Sequence, residues 1–312
     1  MRDPSPTPDS AGTPPIEAQA VEIVCGDGVR LGGHLWRAEG DAPLGVVIVN
    51  PATGVLARYY HRFARFLAAN GFDVLTYDYR GVGLSRPARL RGSGYRWRHW
   101  GERDMEAAIG FVAERGRSDR LLVVGHSIGG FLPGLAASAP RIARMLTVGA
   151  QYAWWGDYAA RRRLALLLRW HMAMPALTFA CGYFPGRRLG WLEDLPAGVA
   201  YEWSFRGPRF ERSHPPAERA DALARMASVT APILAVSVSD DEFGTPAAVR
   251  RTLDCYAGAE RTAVLLEPAD YGRDAIGHFS LFHDSHAPGF WRDALLWLRD
   301  GRNPWPERVL PS

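Results

Sequence analysis

Gly125-His126-Ser127-Ile128-Gly129 has the spacing that turns a serine hydroxyl into a nucleophile. The apolar run at residues 121–124 precedes it directly. A strand therefore runs straight into a serine bracketed by glycines, the pattern of a strand-to-helix elbow. The turn is so tight that the residues two before and two after the serine must lack bulk. Gly125 and Gly129 meet that demand and Gly130 extends it. The chemistry implied is acyl transfer through an ester on Ser127.

A serine hydroxyl is a poor nucleophile at neutral pH. It needs a base to take its proton and an acid to orient the base. On an elbow scaffold the acid and then the base follow the serine along the chain. Residues 232–238 read as a late buried strand, and Ser239-Asp240-Asp241-Glu242 follows it. Counting from Pro232 puts the acid at Asp241, with Asp240 as the alternative. The remaining acids are expected to be solvated, or to cap a helix beginning near Pro246. The base is expected in the loop after the last strand, where Gly277-His278-Phe279 stands, with a small residue before His278. His283 and His286 compete with it. Their setting could suggest a metal, but no Cys or carboxylate cluster at ligand spacing completes a site, so no metal is expected. His34, His61, His99, His171 and His214 lack such a context and read as surface or packing residues. His126 is expected to pack beneath the serine.

Attack on an ester builds charge on the carbonyl oxygen, which backbone N–H groups aimed at it stabilise. Ile128, just after the serine, supplies one such N–H. The other is expected from Asn50-Pro51-Ala52-Thr53-Gly54, the loop after a strand at 44–49. Pro51 has no N–H, so Ala52 is the expected donor and Thr53 the second choice. The Asn50 side chain is read as ordering this loop.

A chain of 312 residues with 47% hydrophobic content is long enough for one large α/β domain with a real core. Its formal net charge is +4, yet all 37 basic residues are arginine, scattered among acids rather than gathered in a stripe. Nucleic-acid binding is therefore not expected. Cys25, Cys181 and Cys255 are widely spaced and none forms a Cys-x-x-Cys pair, which points to a reducing cytoplasm. Residues 1–19 lack an apolar leader and read as a disordered tail. The longest apolar segment, 164–174, is interrupted by Arg169 and His171 and reads as too short to span a membrane.

Past the tail, strand and helix signals alternate, as in a mostly parallel sheet covered on both faces. A hairpin opens it, over 21–25 and 30–36. Strands are expected at 44–49, 72–77, 121–124, 145–149, 232–238 and 262–266. Helices are expected at 59–69, 101–115, 128–138, 246–256 and 290–299. Residues 151–226 break the alternation with tryptophans, prolines and Arg161-Arg162-Arg163. They read as a helical cap inserted between the core segments 20–150 and 227–312. Trp154, Trp155 and Trp203 are expected to line an apolar substrate pocket beneath it. The arginine run could face an anionic group.

Over about residues 20–300 the chain resembles a serine-dependent α/β-hydrolase, on the oxyanion loop, Asp78-Tyr79-Arg80-Gly81-Val82-Gly83-Leu84-Ser85, the elbow, Asp240-Asp241 and Gly277-His278-Phe279. The loop 50–54, the 78–85 run, Gly182-Tyr183-Phe184-Pro185-Gly186 and residues 276–282 resemble predicted bacterial hydrolases of the serine aminopeptidase and monoacylglycerol-lipase-like branch. The resemblance implies an eight-stranded α/β-hydrolase sheet, a Ser-Asp-His triad, a cytosolic setting and no cofactor. Many members of the superfamily have His-Gly where this chain has Asn50-Pro51. The expectation is a carboxylic-ester (or thioester or amide) hydrolase acting on a small apolar or aromatic substrate. The alternatives are an acyltransferase using the same triad, or a small-molecule-binding protein on a hydrolase fold. Asp at position 127 would have signalled dehalogenase or epoxide-hydrolase chemistry; the residue is Ser127.

Overall fold

The computed structural model describes residues 16–311. Eight strands form one sheet: β1 (Ala18–Val24), β2 (Arg30–Trp36), β3 (Gly45–Asn50), β4 (Phe72–Tyr77), β5 (Leu121–His126), β6 (Ile142–Val148), β9 (Ile233–Val238) and β10 (Arg261–Leu266). A separate two-stranded ribbon pairs β7 (Tyr183–Phe184) with β8 (Leu195–Pro196). The spatial order is β1-β2-β4-β3-β5-β6-β9-β10. β2 runs antiparallel to both β1 and β4, and every later pair is parallel.

The expected tail at 1–19 lies mostly outside the described residues. Its last part is corrected, since Ala18 and Gln19 already pair with Trp36 and Leu35. The buried strands are continuous β-branched and aliphatic runs because helices cover both faces. In β3, Val46 and Ile48 point into one core and Val47 and Val49 into the other. Each such side chain, fully buried, is worth roughly 1.5–3 kcal/mol.

Helix His61–Ala69 follows a short 3-10 turn at Ala57–Tyr60. Helix Glu106–Arg115 is preceded by a helical stretch from Trp97, earlier than the expected start at 101. Ile128–Phe131 continues as a 3-10 turn through Leu135. Helices Pro246–Cys255 and Phe290–Asp300 complete the covering layers.

After β6 the chain leaves the sheet and returns at β9. Between them stand helices Arg163–Cys181, Ala197–Ser204 and Arg219–Ser228. The first is 19 residues long with mean hydropathy 1.4, long and apolar enough by length and composition to cross a membrane, which corrects the reading of 164–174 as too short. The wide turn at Leu167–Ala173 accommodates Pro175, which has no N–H to give the helical ladder. His171 does not interrupt it, because the ring is buried with Nδ1 2.7 Å from the Ser204 carbonyl. Leu166, Trp170 and Met174 face inward, while Leu164, Leu168, Met172 and Phe179 are exposed.

Candidate active site

Thr53, Ser127, Gln151, Asp241 and His278 all follow the carboxyl ends of parallel strands, the position where an open α/β sheet leaves a crevice. Ser127 ends β5 with φ 55° and ψ −125°, a conformation that costs a non-glycine residue energy and that the surroundings must hold in place. Its N–H donates to the Val148 carbonyl at 2.9 Å. The elbow glycines are steric necessities. A Cβ on Gly125 would lie 2.4 Å from the Gly129 carbonyl oxygen, and one on Gly129 would lie 2.3 Å from that of Asn50.

Asp241 and His278 meet in a buried pair, with Nδ1 2.7 Å from Oδ2. The other carboxylate oxygen accepts the N–H groups of Phe243 and Gly244 at 2.8 and 2.9 Å. Burial opposes ionisation of Asp241, but the His278 ring and the two backbone donors outweigh it and hold the carboxyl below the usual range. Asp240 does something else. It accepts the N–H groups of Ile276 and Gly277, at 2.8 and 2.9 Å, and so tethers the loop that carries His278. Neither neighbouring acid caps the following helix or stands free. Glu242 pairs with Arg162 at 2.9 Å, and Thr245 is the cap, accepting from the Ala248 N–H. The expected anion-facing role of Arg161-Arg162-Arg163 is likewise replaced. Arg161 donates to the Asp240 carbonyl and Arg163 to that of Tyr158, so the run braces the acid loop. His283 bonds Ser285 and His286 meets Tyr271 edge-on.

The oxyanion loop brings one correction. The Ala52 N–H donates to the Tyr60 hydroxyl at 3.0 Å and is not available to a ligand. The N–H groups of Thr53 and Ile128 have no partner among the described residues. Of the N–H groups at Ala52 and Thr53, the one left without a partner among the described residues is that of Thr53. Asn50 orders the loop through its side chain: its oxygen accepts from Tyr77 at 2.9 Å and its amide donates to the Gly129 carbonyl at 3.4 Å.

Ser127, Thr53 and His278 open onto a cavity of about 150 Å3 walled by Trp97, Trp170, Trp191, Trp203 and Phe243. Trp203 stands where expected. Trp154 and Trp155 do not: Trp154 lies under the Arg251 guanidinium at 4.4 Å, and Trp155 is 40% exposed. The missed tryptophans form a stack, with Trp170 4.7 Å and Trp97 5.7 Å from Trp203. Trp191, Leu192 and Phe279 also border an outer groove of about 830 Å3. Gln151, unremarked in the sequence, donates from Nε2 to Ser127 Oγ at 3.1 Å.

A strained serine on an elbow and the sheet order define a serine hydrolase of the α/β-hydrolase fold. The chain belongs to the serine aminopeptidase S33 family, whose pattern matches residues 41–197, half of its length. Solved structures share the fold at low identity. A soluble variant of monoglyceride lipase from Saccharomyces cerevisiae, in complex with a substrate analog, has TM-score 0.63 at 15% identity, covering 98% of this chain and 100% of that one. The esterase Pf2001 of Pyrococcus furiosus has TM-score 0.56 at 17% identity, covering 94% of each chain. The α/β hydrolase GrgF from Penicillium sp. sh18 has TM-score 0.57 at 16% identity, covering 91% and 98%. No curated protein matches the sequence.

Proposed function

We propose that the protein hydrolyses carboxylic esters of small apolar or aromatic acids through an acyl-enzyme on Ser127. The observation that carries the reading is that the strained Ser127 and His278, itself paired with buried Asp241, line one cavity walled by tryptophan. His278 takes the Ser127 proton as Oγ attacks, then gives it to the departing alcohol. Asp241 holds the ring so that Nε2 faces the serine, and stabilises the imidazolium. The N–H groups of Thr53 and Ile128 receive the oxyanion. Water then attacks the acyl-enzyme, with His278 as base, and Ser127 recovers its proton. A cavity of about 150 Å3 favours a short-chain or single-ring acyl group over a long chain. The outer groove is open enough for a larger alcohol.

The test is labelling with a fluorophosphonate, followed by turnover of p-nitrophenyl esters of graded acyl length. Wild type is expected to label and Ser127→Ala not to. Turnover is expected to fall steeply once the acyl chain outgrows the cavity. Equal labelling of the two proteins would end the proposal.

A further inference from the structure

The side-chain amide of Gln151 is held at both ends. Gln151 lies just past the carboxyl end of β6 and is 6% exposed. Its Oε1 accepts the N–H of Ala153, and its Nε2 donates to Ser127 Oγ at 3.1 Å. Its own N–H reaches the Ser127 carbonyl at 3.4 Å. The amide has one workable orientation. Reversed, it would set an NH2 against the Ala153 N–H and turn its carbonyl to the serine. Ser127 and Ala153 are also the two non-glycine residues with positive φ among those described, at 55° and 63°. Two strained backbone positions thus bracket one amide, and its donor is aimed at the reacting oxygen. Strain of this kind persists only where surrounding structure over-determines it, and it gathers at functional sites.

We propose that Gln151 is a catalytic residue that stabilises negative charge on Ser127 Oγ. The inference rests on the reading of Ser127 as nucleophile. With the amide on one lone pair, the hydroxyl proton is left free to point at His278. As His278 takes that proton, the N–H holds the charge that builds on Oγ until its lone pair bonds to the acyl carbon and the carbonyl electron pair moves onto the carbonyl oxygen. In the second half the bond from the acyl carbon to Oγ breaks, the electron pair returns to Oγ, and the same N–H supports it until His278 gives the proton back. This is the service that oxyanion donors give the carbonyl oxygen, applied to Oγ in the transition states in which its bond to the acyl carbon is forming or breaking.

Two near-isosteric variants separate donor from scaffold. Gln151→Met fills the space without a donor. Gln151→Glu keeps the acceptor for Ala153 and replaces the donor with a carboxylate that competes for the serine proton. In Gln151→Met, the fluorophosphonate labelling rate and kcat for p-nitrophenyl acetate are expected to fall roughly tenfold, with KM changed far less. Gln151→Glu is expected to lose more at neutral pH. Its activity relative to wild type should recover as pH falls, because a protonated carboxyl is again a donor. Wild-type rates in Gln151→Met, or a deficit in Gln151→Glu that does not change with pH, overturn the proposal. Ser127→Ala run alongside tells the two readings apart. If wild type labels no better than Ser127→Ala, the nucleophile reading fails; if wild type labels and Gln151→Met matches it, only the role of Gln151 fails.

Discussion

The carbonyl oxygen of His278 lies 2.8 Å from Nε2 of His126, a residue of the elbow itself. A carbonyl only accepts, so Nε2 carries the hydrogen and Nδ1 accepts from the Tyr60 hydroxyl at 2.7 Å. That hydroxyl in turn accepts from Ala52 N–H. One line of hydrogen bonds therefore joins the oxyanion loop, the elbow and the backbone of the base. The chain needs a neutral ring. Burial, and the His278 ring beside it, push His126 down to about 3.

Replacing His126 by Phe should leave the buried His278 carbonyl without its donor and the Tyr60 hydroxyl proton without its acceptor. A loss of about 1–3 kcal/mol is expected at neutral pH, with a lower kcat as the base loop loosens. The pH dependence has a definite sign. His126 binds a proton more weakly folded than unfolded, so its contribution is complete above about 6.5 and is lost as pH falls toward about 3. Denaturant melts should show a shallower decline over that window in His126→Phe than in wild type.

Asp240 and Asp241 are separable by the kind of damage their removal does. Asp241→Asn keeps the shape but no longer holds the His278 tautomer, and should cost on the order of 10⁴-fold in kcat with little change in melting temperature. Asp240→Ala releases the N–H groups of Ile276 and Gly277 and should lower kcat by only about tenfold while reducing stability by about 1–2 kcal/mol. Paired kinetics and thermal melts check both, and a larger kcat loss in Asp240→Ala would reverse the assignment.

Gly149 supports the same pair from beneath. It has φ 56°, and a Cβ there would lie 2.9 Å from Asp241 Oδ2 and 3.0 Å from His278 Cε1. Gly149→Ala is expected to cost about 1–2 kcal/mol from its backbone angle alone. It should also lower kcat at least about tenfold by pushing Asp241 and His278 out of line, with KM held. Steady-state kinetics beside a urea melt separate the two effects.

Far from the site, Asp73 is fully buried between Arg37 and Arg117, at 2.8 and 2.6 Å, and accepts the Ala38 N–H. Burial works against its charge, but these donors outweigh it and keep the carboxyl below the ordinary range. Its stabilisation is thus present above about pH 3.9 and is lost as pH falls through the lower folded value. Asp73→Asn should cost about 1–3 kcal/mol at neutral pH, less than a wholly buried pair because both arginines reach solvent. The gap from wild type should close below about pH 4.

What the sequence made legible was whatever local sterics dictate. The elbow could be read because only glycine fits at 125 and 129, and the meeting of Asp241 with His278 because strand order fixes which loops emerge side by side at the carboxyl edge of the sheet. The choice of Ala52 failed on a tertiary contact. Pro51 does lack an N–H, but nothing near Ala52 in sequence announces that the Tyr60 hydroxyl, on the following turn, takes its hydrogen. Trp154-Trp155 looked like pocket lining because the pair falls in the tryptophan-rich insertion at 151–226. The positive-φ turn at Ala153 instead sends Trp154 beneath Arg251. Trp97 was missed because it precedes the cap in the chain, far from the tryptophans it joins in the cavity wall.

That stack sets the last expectation, the size of the acyl group. Trp203 donates from Nε1 to the Tyr158 hydroxyl at 3.0 Å and is sandwiched between Trp97 and Trp170, so its ring cannot swing aside to admit a longer chain. Trp170 has no such anchor among the described residues: its buried Nε1 finds no partner there. Trp170→Leu should therefore enlarge the cavity at a cost in stability of about 2–4 kcal/mol. It should shift the preferred p-nitrophenyl ester toward longer acyl chains, with kcat/KM for the acetate lowered and that for the hexanoate raised. Trp203→Leu should weaken turnover of every ester, because it removes the partner on which both neighbouring rings stack. The acyl-length profiles of the two variants, taken side by side, check this, and a profile unchanged in Trp170→Leu would mean that the acyl group lies outside the tryptophan cavity.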